Sequence, residues 1–157
     1  MTHSDFEPTP AIREHLAVGY DSVYPNRLDS ETPEKEHAVR GYKVPNGALY
    51  TTIGDLARFE VFEMLGGPES VLPKQELEET RRQIFANADL TAGYGLGFQV
   101  NRVGEHMFIG HPGSVSGYMA MAYVQPQAGI GIVILRNENV PGAEKLLDLF
   151  MHKLEVK

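Results

Sequence analysis

The sequence predicts an α/β fold of the α+β type, in which an antiparallel sheet of three main strands is flanked by helices. Three observations support this class. Residues 1–90 contain irregular and helical segments, whereas residues 91–157 contain short β-rich segments separated by turn residues. The chain ends in a segment whose leucines recur at helical spacing. Its 157 residues, 42% of them apolar, suffice for one domain with a hydrophobic core.

Composition excludes several functional classes. The chain has no cysteine and no run of about 18 apolar residues, so disulfides, thiolate metal sites and a membrane span are not expected. A net charge of -7 with 14 dispersed basic residues argues against nucleic-acid binding, which needs clustered Lys and Arg. Residues 1–10 lack the pattern of a secretory signal, and the compartment is not predicted. No cofactor is expected.

The first 50 residues show no sustained period and are rich in proline and charge. They nevertheless carry too many aromatic and aliphatic side chains for a disordered segment. These anchors are Tyr20, Val23, Tyr24, Leu28, Val39, Tyr42 and Val44. We therefore predict irregular structure that packs against the rest of the domain.

Two helices are predicted before the sheet. Apolar spacing over residues 52–65 indicates about three turns, with Thr52 and Asp55 forming a cap-like start and Gly66 ending the helix. A second helix is predicted over residues 73–85, since Pro73 suits a first helical position. Its many charged residues indicate a solvated face.

The strands are predicted at residues 96–100, 107–109, 118–124 and 130–135, with turns at 102–104, 111–117 and 126–129. The last two strands have apolar residues at consecutive positions, which indicates that both of their faces are covered. A helix over residues 142–154 provides one cover.

Several motifs occur in a specific order. Residues 47–59 read GALYTTIGDLARF, residues 94–98 read YGLGF, residues 110–113 read GHPG, and residues 130–137 read IGIVILRN. In this order the motifs resemble the serine β-lactamase-like superfamily, which includes class C β-lactamases, penicillin-binding proteins, D-aminopeptidases and certain esterases. The resemblance spans nearly the whole chain and implies a partial β-lactamase-like fold, with residues 1–157 forming its C-terminal part.

The resemblance implies hydrolysis of an ester, amide or lactam through an acyl-serine. The family's nucleophile is the serine of a Ser-x-x-Lys motif, whose lysine accepts the hydroxyl proton. No serine of this chain has a lysine three residues later: the six are Ser4, Ser22, Ser30, Ser70, Ser114 and Ser116. We therefore expect the chain to be inactive alone.

The family's second motif, Tyr-x-Asn, occurs by letter at Tyr24 and Asn26. In family order this motif precedes the region that matches the start of this chain, whereas Tyr24 follows that start. We interpret the match as coincidence.

The third family motif is retained as the triplet from His111 to Gly113, the His-x-Gly form of Lys-Thr-Gly. The resemblance implies that this triplet lies on the strand at the edge of the active site. It also implies that the backbone N–H of Ser114 is one oxyanion-hole donor and that His111 faces the substrate. Pro112 has no N–H to donate.

The sequence argues against three other interpretations of its Ser, His and Gly residues. Ser114 beside His111 lacks an acidic partner, which argues against a local Ser-His hydrolase. His106 and His111 have no third ligand nearby, which argues against a metal site. Gly95 and Gly97 do not complete a phosphate-loop motif and indicate close packing in a strand.

The alternative function is a non-enzymatic binding or assembly module that reuses the half-fold. In the resembled family, the strand matching residues 130–135 also pairs with an N-terminal strand. Because this chain has no match to that strand, we expect an open apolar edge and association as a two-fold dimer. The predicted partners are thus a second copy or the missing N-terminal part, with a small acyl substrate only in a completed site.

Overall fold

The computed structural model describes residues 1–23, 27–33, 41–115 and 117–154. A 3-10 helix occupies Gly41–Lys43. The helices are α1 (Pro10–His15), α2 (Ile53–Leu65), α3 (Lys74–Thr80) and α4 (Ala143–Leu154). The strands are β1 (Tyr20–Val23), β2 (Arg27–Pro33), β3 (Phe85–Ala86), β4 (Ala92–Tyr94), β5 (Gln99–Val103), β6 (His106–Val115), β7 (Tyr118–Gln125) and β8 (Ile130–Arg136).

The main sheet has six antiparallel strands in the order β3-β4-β5-β6-β7-β8, and β1 and β2 form a separate hairpin. The α+β class predicted from the sequence is confirmed. Beyond the four strands predicted along the sequence, the sheet includes β3 and β4, which are only two and three residues long. Elements this short cannot show an alternation pattern.

The two faces of the sheet are covered by different helices. On one face, Phe108, Met119, Met121 and Tyr123 pack against α4, with contributions from Ala143, Leu147 and Met151. On the other face, Val100, Ile109 and Val124 pack with Met64 of α2. The prediction that both faces are covered is therefore confirmed. The sequence identified α4 as one cover, and the structure adds α2 as the other.

Helix α2 begins and ends where its capping residues predict. The Thr52 hydroxyl accepts a hydrogen bond from the Asp55 N–H at 3.2 Å, and the Gly66 N–H donates to the Phe62 carbonyl at 2.8 Å. Asp55 is fully buried and accepts from the His3 N–H at 2.7 Å and the Ser4 hydroxyl at 2.8 Å. Burial opposes its ionisation, but the hydrogen bonds lower the pKa of Asp55 below its ordinary value. Through these hydrogen bonds, Asp55 holds residues 3 and 4 against the first turn of α2.

Three predicted boundaries were wrong. The helix predicted over 73–85 is α3, which begins after Pro73 and ends at Thr80, because residues 85–86 pair with β4 instead. The strand predicted at 96–100 is β5, which begins at Gln99 after a turn in which Gly97 has a φ of +86°. The third concerns the predicted turn over 111–117.

That predicted turn is strand for most of its length. Strand β6 continues through Val115 because β7 pairs with it from Ile109 to Val115. Pairing with β7 therefore overrides the local turn preference of Pro112 and Gly113. The irregular segment predicted for residues 1–50 also contains α1 and the β1-β2 hairpin.

Candidate active site

Strand β6 changes its environment at Gly110. Strand β5 pairs with β6 only from Val103 opposite His106 to Gln99 opposite Gly110. Residues 111–115 pair with β7 on one side, and no described strand pairs with them on the other. Proline has no N–H to donate to a neighbouring strand, so it is tolerated where no neighbour needs one. Pro112 lies at such an edge. The predicted site triplet therefore lies on an open strand edge within the sheet.

His111 lies on this open edge with an exposed side chain. Its ring meets Tyr94 of β4 edge-on, with centroids 5.7 Å apart and planes at 86°. The ring Nδ1 lies 2.5 Å from the Pro112 carbonyl oxygen. In a hydrogen bond between these two atoms the ring nitrogen is the donor, since a carbonyl oxygen can only accept.

The two glycines of the GHPG motif have different surroundings. A Cβ at Gly110 would lie 2.0 Å from the Ala122 carbonyl oxygen and 2.6 Å from the Tyr123 Cγ, so β6 and β7 approach too closely there for any side chain. A Cβ at Gly113 would meet nothing within 4 Å. Gly110 is thus required by packing, whereas Gly113 leaves open space beside His111.

Ser114 and His111 lie on opposite faces of β6. His111 is paired with Ala122, on the face of Val124 and α2, whereas Ser114 is paired with Met119, on the face covered by α4. The Ser114 hydroxyl donates to the Asn139 side-chain oxygen at 2.6 Å. The side chains of Ser114 and His111 are therefore not arranged as a nucleophile and its base.

A segment of four residues, Ala17 to Tyr20, supports the far end of β6 and the start of β7. The Tyr118 hydroxyl donates to the Ala17 carbonyl, and the Asn137 side-chain amide donates to the Val18 carbonyl at 2.8 Å. The Tyr20 N–H is shared between the carbonyls of Asn137, at 3.0 Å, and Gly117, at 3.2 Å. We call residues 17–20 the support segment.

The position of the support segment is not predictable from the sequence. Gly117 has a φ of +78°, and a Cβ there would lie 2.6 Å from the Tyr20 nitrogen. The sequence shows only that residue 117 is a glycine. It does not show which distant backbone segment lies against that glycine.

Other sequence candidates are placed as follows. The Ser4 hydroxyl forms hydrogen bonds with the side chains of Asp55 and Thr51, each at 2.8 Å. Residues 24–26, with the Tyr-x-Asn letters, lie outside the described residues. His106 and His111 lie on opposite faces of β6, being five residues apart. Over the described parts of the chain, no three His, Cys, Asp or Glu side chains form a group that could hold a metal ion.

Within the described ranges, each helix is too short or too polar to cross a bilayer.

The chain is similar in sequence to proteins of the β-lactamase group. A family model for β-lactamases matches residues 1–154. The protein Flp of Staphylococcus aureus (strain NCTC 8325 / PS 47) is 24% identical over 155 residues, which cover 94% of this chain and 28% of Flp. The chain thus spans less than a third of that relative.

Solved structures show the same fold. A class C β-lactamase matches all of this chain with 48% of its own, at a TM-score of 0.76 and 18% identity. An octameric penicillin-binding protein homologue from Pyrococcus abyssi matches 88% of this chain with 30% of its own, at a TM-score of 0.71 and 23% identity. The partial β-lactamase-like fold implied by the sequence motifs is therefore confirmed.

Proposed function

Because the chain belongs to the β-lactamase family, we propose that it carries one half of the active site of a serine hydrolase. The other half, with the nucleophilic serine and its lysine, is contributed by residues outside this chain. The family match and the similar folds support a serine-hydrolase type of fold. The reaction proposed is hydrolysis of an ester, amide or lactam.

The open edge at residues 111–115 is the observation that carries this proposal. Each backbone N–H and C=O on that side needs a partner, and an extended acyl substrate with carbonyl and amide groups can provide one. The open space at Gly113 lies beside His111 on the same face, since they are two residues apart in a strand. A substrate on this edge would therefore contact His111 directly.

The proposed chemistry assigns each group one task. A serine hydroxyl from outside this chain attacks the acyl carbonyl carbon, a lysine accepts its proton, and the leaving group departs with a proton. Water then hydrolyses the acyl-serine. The Ser114 N–H stabilises the oxyanion in both steps, and His111 positions the acyl portion of the substrate. Ser114 acts through its backbone, because its hydroxyl is held by Asn139 on the other face.

The test compares the chain alone with the chain joined, covalently or in trans, to the family's upstream region. We expect no hydrolysis of short-chain p-nitrophenyl esters or a chromogenic cephalosporin by the chain alone, and hydrolysis by the completed protein. In the completed protein, His111→Ala should lower kcat/KM about 100-fold, as misplacement of a substrate does. Ser114→Ala keeps the backbone N–H and should stay within about threefold of the unmodified protein.

His106→Ala is the matched control, since His106 lies on the same strand but the opposite face. It should leave kcat/KM unchanged, with thermal unfolding confirming that each variant is folded. Turnover by the chain alone that survives both His111→Ala and Ser114→Ala would refute the half-site proposal. Full activity of His111→Ala in the completed protein would remove His111 from the site.

A second candidate function is an assembly module without catalysis. Two observations favour it. The Pyrococcus abyssi homologue is described as octameric, and among the described residues the outer edge of β8 is open. A serine-directed acylating probe followed by mass spectrometry separates the two functions. Labelling of the completed protein supports the hydrolase, and absence of labelling in a folded, self-associated protein supports the assembly module.

A further inference from the structure

The exposed side chain of His111 has little to hold it within its own strand. Its contact with the Pro112 carbonyl oxygen, at 2.5 Å, is made to the next residue of β6. Such a contact does not connect the ring to another element of the fold. An exposed side chain exchanges between rotamers on the picosecond-to-nanosecond timescale unless a second element restrains it.

Tyr94 of β4 supplies a contact from a second element. Its ring meets the His111 ring edge-on, with centroids 5.7 Å apart. Strand β5 begins at Gln99, which lies opposite Gly110, so no described residue of β5 lies opposite His111. The two rings therefore meet past the end of β5. Aromatic pairs in this edge-on arrangement are favourable beyond the area that they bury.

The backbone around Tyr94 is fixed on both sides. The Ile84 N–H donates to the Tyr94 carbonyl at 2.8 Å, and the Leu96 N–H donates to the carbonyl of Thr80, at the end of α3, at 2.8 Å. A Cβ at Gly95 would lie 2.2 Å from the same Thr80 oxygen, so the backbone at residues 94–96 lies directly against α3. Tyr94 is thus anchored in the fold, whereas the His111 ring is exposed.

We propose that Tyr94 is a positioning residue, whose ring selects one orientation of the His111 imidazole at the edge of the site. This role rests on the proposed function, in which His111 contacts the acyl portion of the substrate. A side chain that is already oriented loses less conformational entropy when a substrate binds. The contact joins the two rings, so the Tyr94 hydroxyl is not required for it.

Phe85 provides a matched control for Tyr94. It lies directly opposite Tyr94 in β3, and aromatic pairs across strands stabilise a sheet. If Tyr94 only stabilised this pair, replacing either ring would have the same effect, and neither effect would depend on His111. Phe85 is 76% exposed and lies one strand farther from His111. Its replacement therefore removes the aromatic pair and leaves the His111 contact in place.

Nuclear magnetic resonance of the chain alone tests the orientation of the His111 ring. Three-bond couplings to the His111 Cγ should indicate one χ1 rotamer in the unmodified protein, with nuclear Overhauser contacts between the two rings. Tyr94→Leu, which keeps an apolar side chain in the strand, should give averaged couplings. Tyr94→Phe and Phe85→Leu should keep the single rotamer. Amide spectra confirm that each variant is folded.

Three results of this experiment would overturn the proposal. The first is an absence of contacts between the two rings in the unmodified protein, which needs no variant to observe. The second is a set of His111 couplings that Tyr94→Leu leaves unchanged. The third is equal averaging in Tyr94→Leu and Phe85→Leu.

Kinetics of the completed protein test the consequence for the reaction. Tyr94→Leu should lower kcat/KM about 2- to 12-fold, the range that an aromatic contact of this kind accounts for. In a His111→Ala background the same change should alter kcat/KM less than about twofold, because the ring to be positioned is absent. Tyr94→Phe should stay within about twofold of the unmodified protein. An equal loss in both backgrounds would show that Tyr94 acts independently of His111, against the proposal.

The two measurements distinguish this role from the hydrolase function. If the completed protein does not hydrolyse the test substrates, the hydrolase proposal fails, and the couplings still decide whether Tyr94 orients His111. If the completed protein is active and Tyr94→Leu leaves the His111 rotamer unchanged, the hydrolase proposal stands and the positioning role of Tyr94 fails.

Discussion

At the scale of single residues, Glu60 and Glu63 are carboxylates buried beneath the sheet on α2. Glu63 is paired with Arg81 at 3.5 Å, and Glu60 has one carboxylate oxygen with no hydrogen-bond partner among the described residues. A Cβ at Gly131 of β8 would lie 3.5 Å from that oxygen. Burial, reinforced by the charge of Glu63, raises the pKa of Glu60 to about 7. Arg81 thus offsets the charge of Glu63.

Replacement of Glu60 by glutamine should change how stability depends on pH. Between the ordinary pKa of 4.5 and about 7, the folded state keeps a proton that the unfolded state has lost. Stability of the unmodified protein should therefore fall as pH rises through this window and level off above it. At about pH 8, Glu60→Gln should be more stable by about 1–3 kcal/mol, and the difference should vanish near pH 4.5.

Urea unfolding at fixed protein concentration measures this effect. Glu69→Gln, at an exposed position, is the control and should run parallel to the unmodified protein. A constant difference between Glu60→Gln and the unmodified protein across the whole pH range would contradict the buried, protonated state of Glu60.

Gly110 and Gly113 allow a paired test within one motif. Gly110→Ala forces a methyl group against the β7 backbone, where a Cβ would lie 2.0 Å from the Ala122 oxygen, and should cost about 1–3 kcal/mol or more. Gly113→Ala meets nothing within 4 Å and should stay within about 0.5 kcal/mol. Thermal and urea unfolding measure both variants. Equal destabilisation would mean that β6 and β7 are not as close at Gly110 as described.

At the scale of elements, the support segment joins the first part of the chain to the region where β6 ends and β7 begins. Its backbone forms a parallel bridge between Tyr20 and Glu138, and the Asn139 N–H donates to the Tyr20 carbonyl at 2.9 Å. Asn139 also accepts from Ser114, so one residue links the segment after β8 to the site strand and to the support segment. The support segment therefore limits how far the end of β6 can move.

Replacement of Gly117 by alanine should release the support segment. The new methyl group would lie 2.6 Å from the Tyr20 nitrogen, at a backbone φ of +78° that alanine rarely adopts. Gly129→Ala is a control with similar backbone strain, at a φ of +67°, but with open space around its Cβ. Amide exchange at Tyr20 and Asn139 should become at least about tenfold faster in Gly117→Ala than in Gly129→Ala. Equal exchange would show that the support segment is held elsewhere.

Elements differed in how well the sequence predicted them. Helices α2 and α4 were predicted nearly to their ends, because each carries several turns of periodic leucine, phenylalanine or methionine. The end of β6 was assigned to a turn, because Pro112 and Gly113 are turn residues when only their neighbours are considered.

At the scale of the whole molecule, the described sheet is covered by α4 on one face and by α2 on the other, and two of its open edges differ in character. One edge is the site half of β6, and the other is the outer side of β8. The first is polar and flanked by an exposed histidine, whereas the second adjoins exposed leucines. This difference is why we propose substrate binding at the first edge.

The sequence by itself determined the family, the α+β class, the main helices and the lack of a Ser-x-x-Lys motif. These depend on local periods, caps and ordered motifs, which neighbouring residues in the chain define. Only the tertiary structure decided that residues 111–115 form an open strand edge, that His111 and Ser114 face opposite ways, and that Gly117 admits the support segment. These features depend on pairing between residues far apart in sequence, whose summed contacts outweigh local preference.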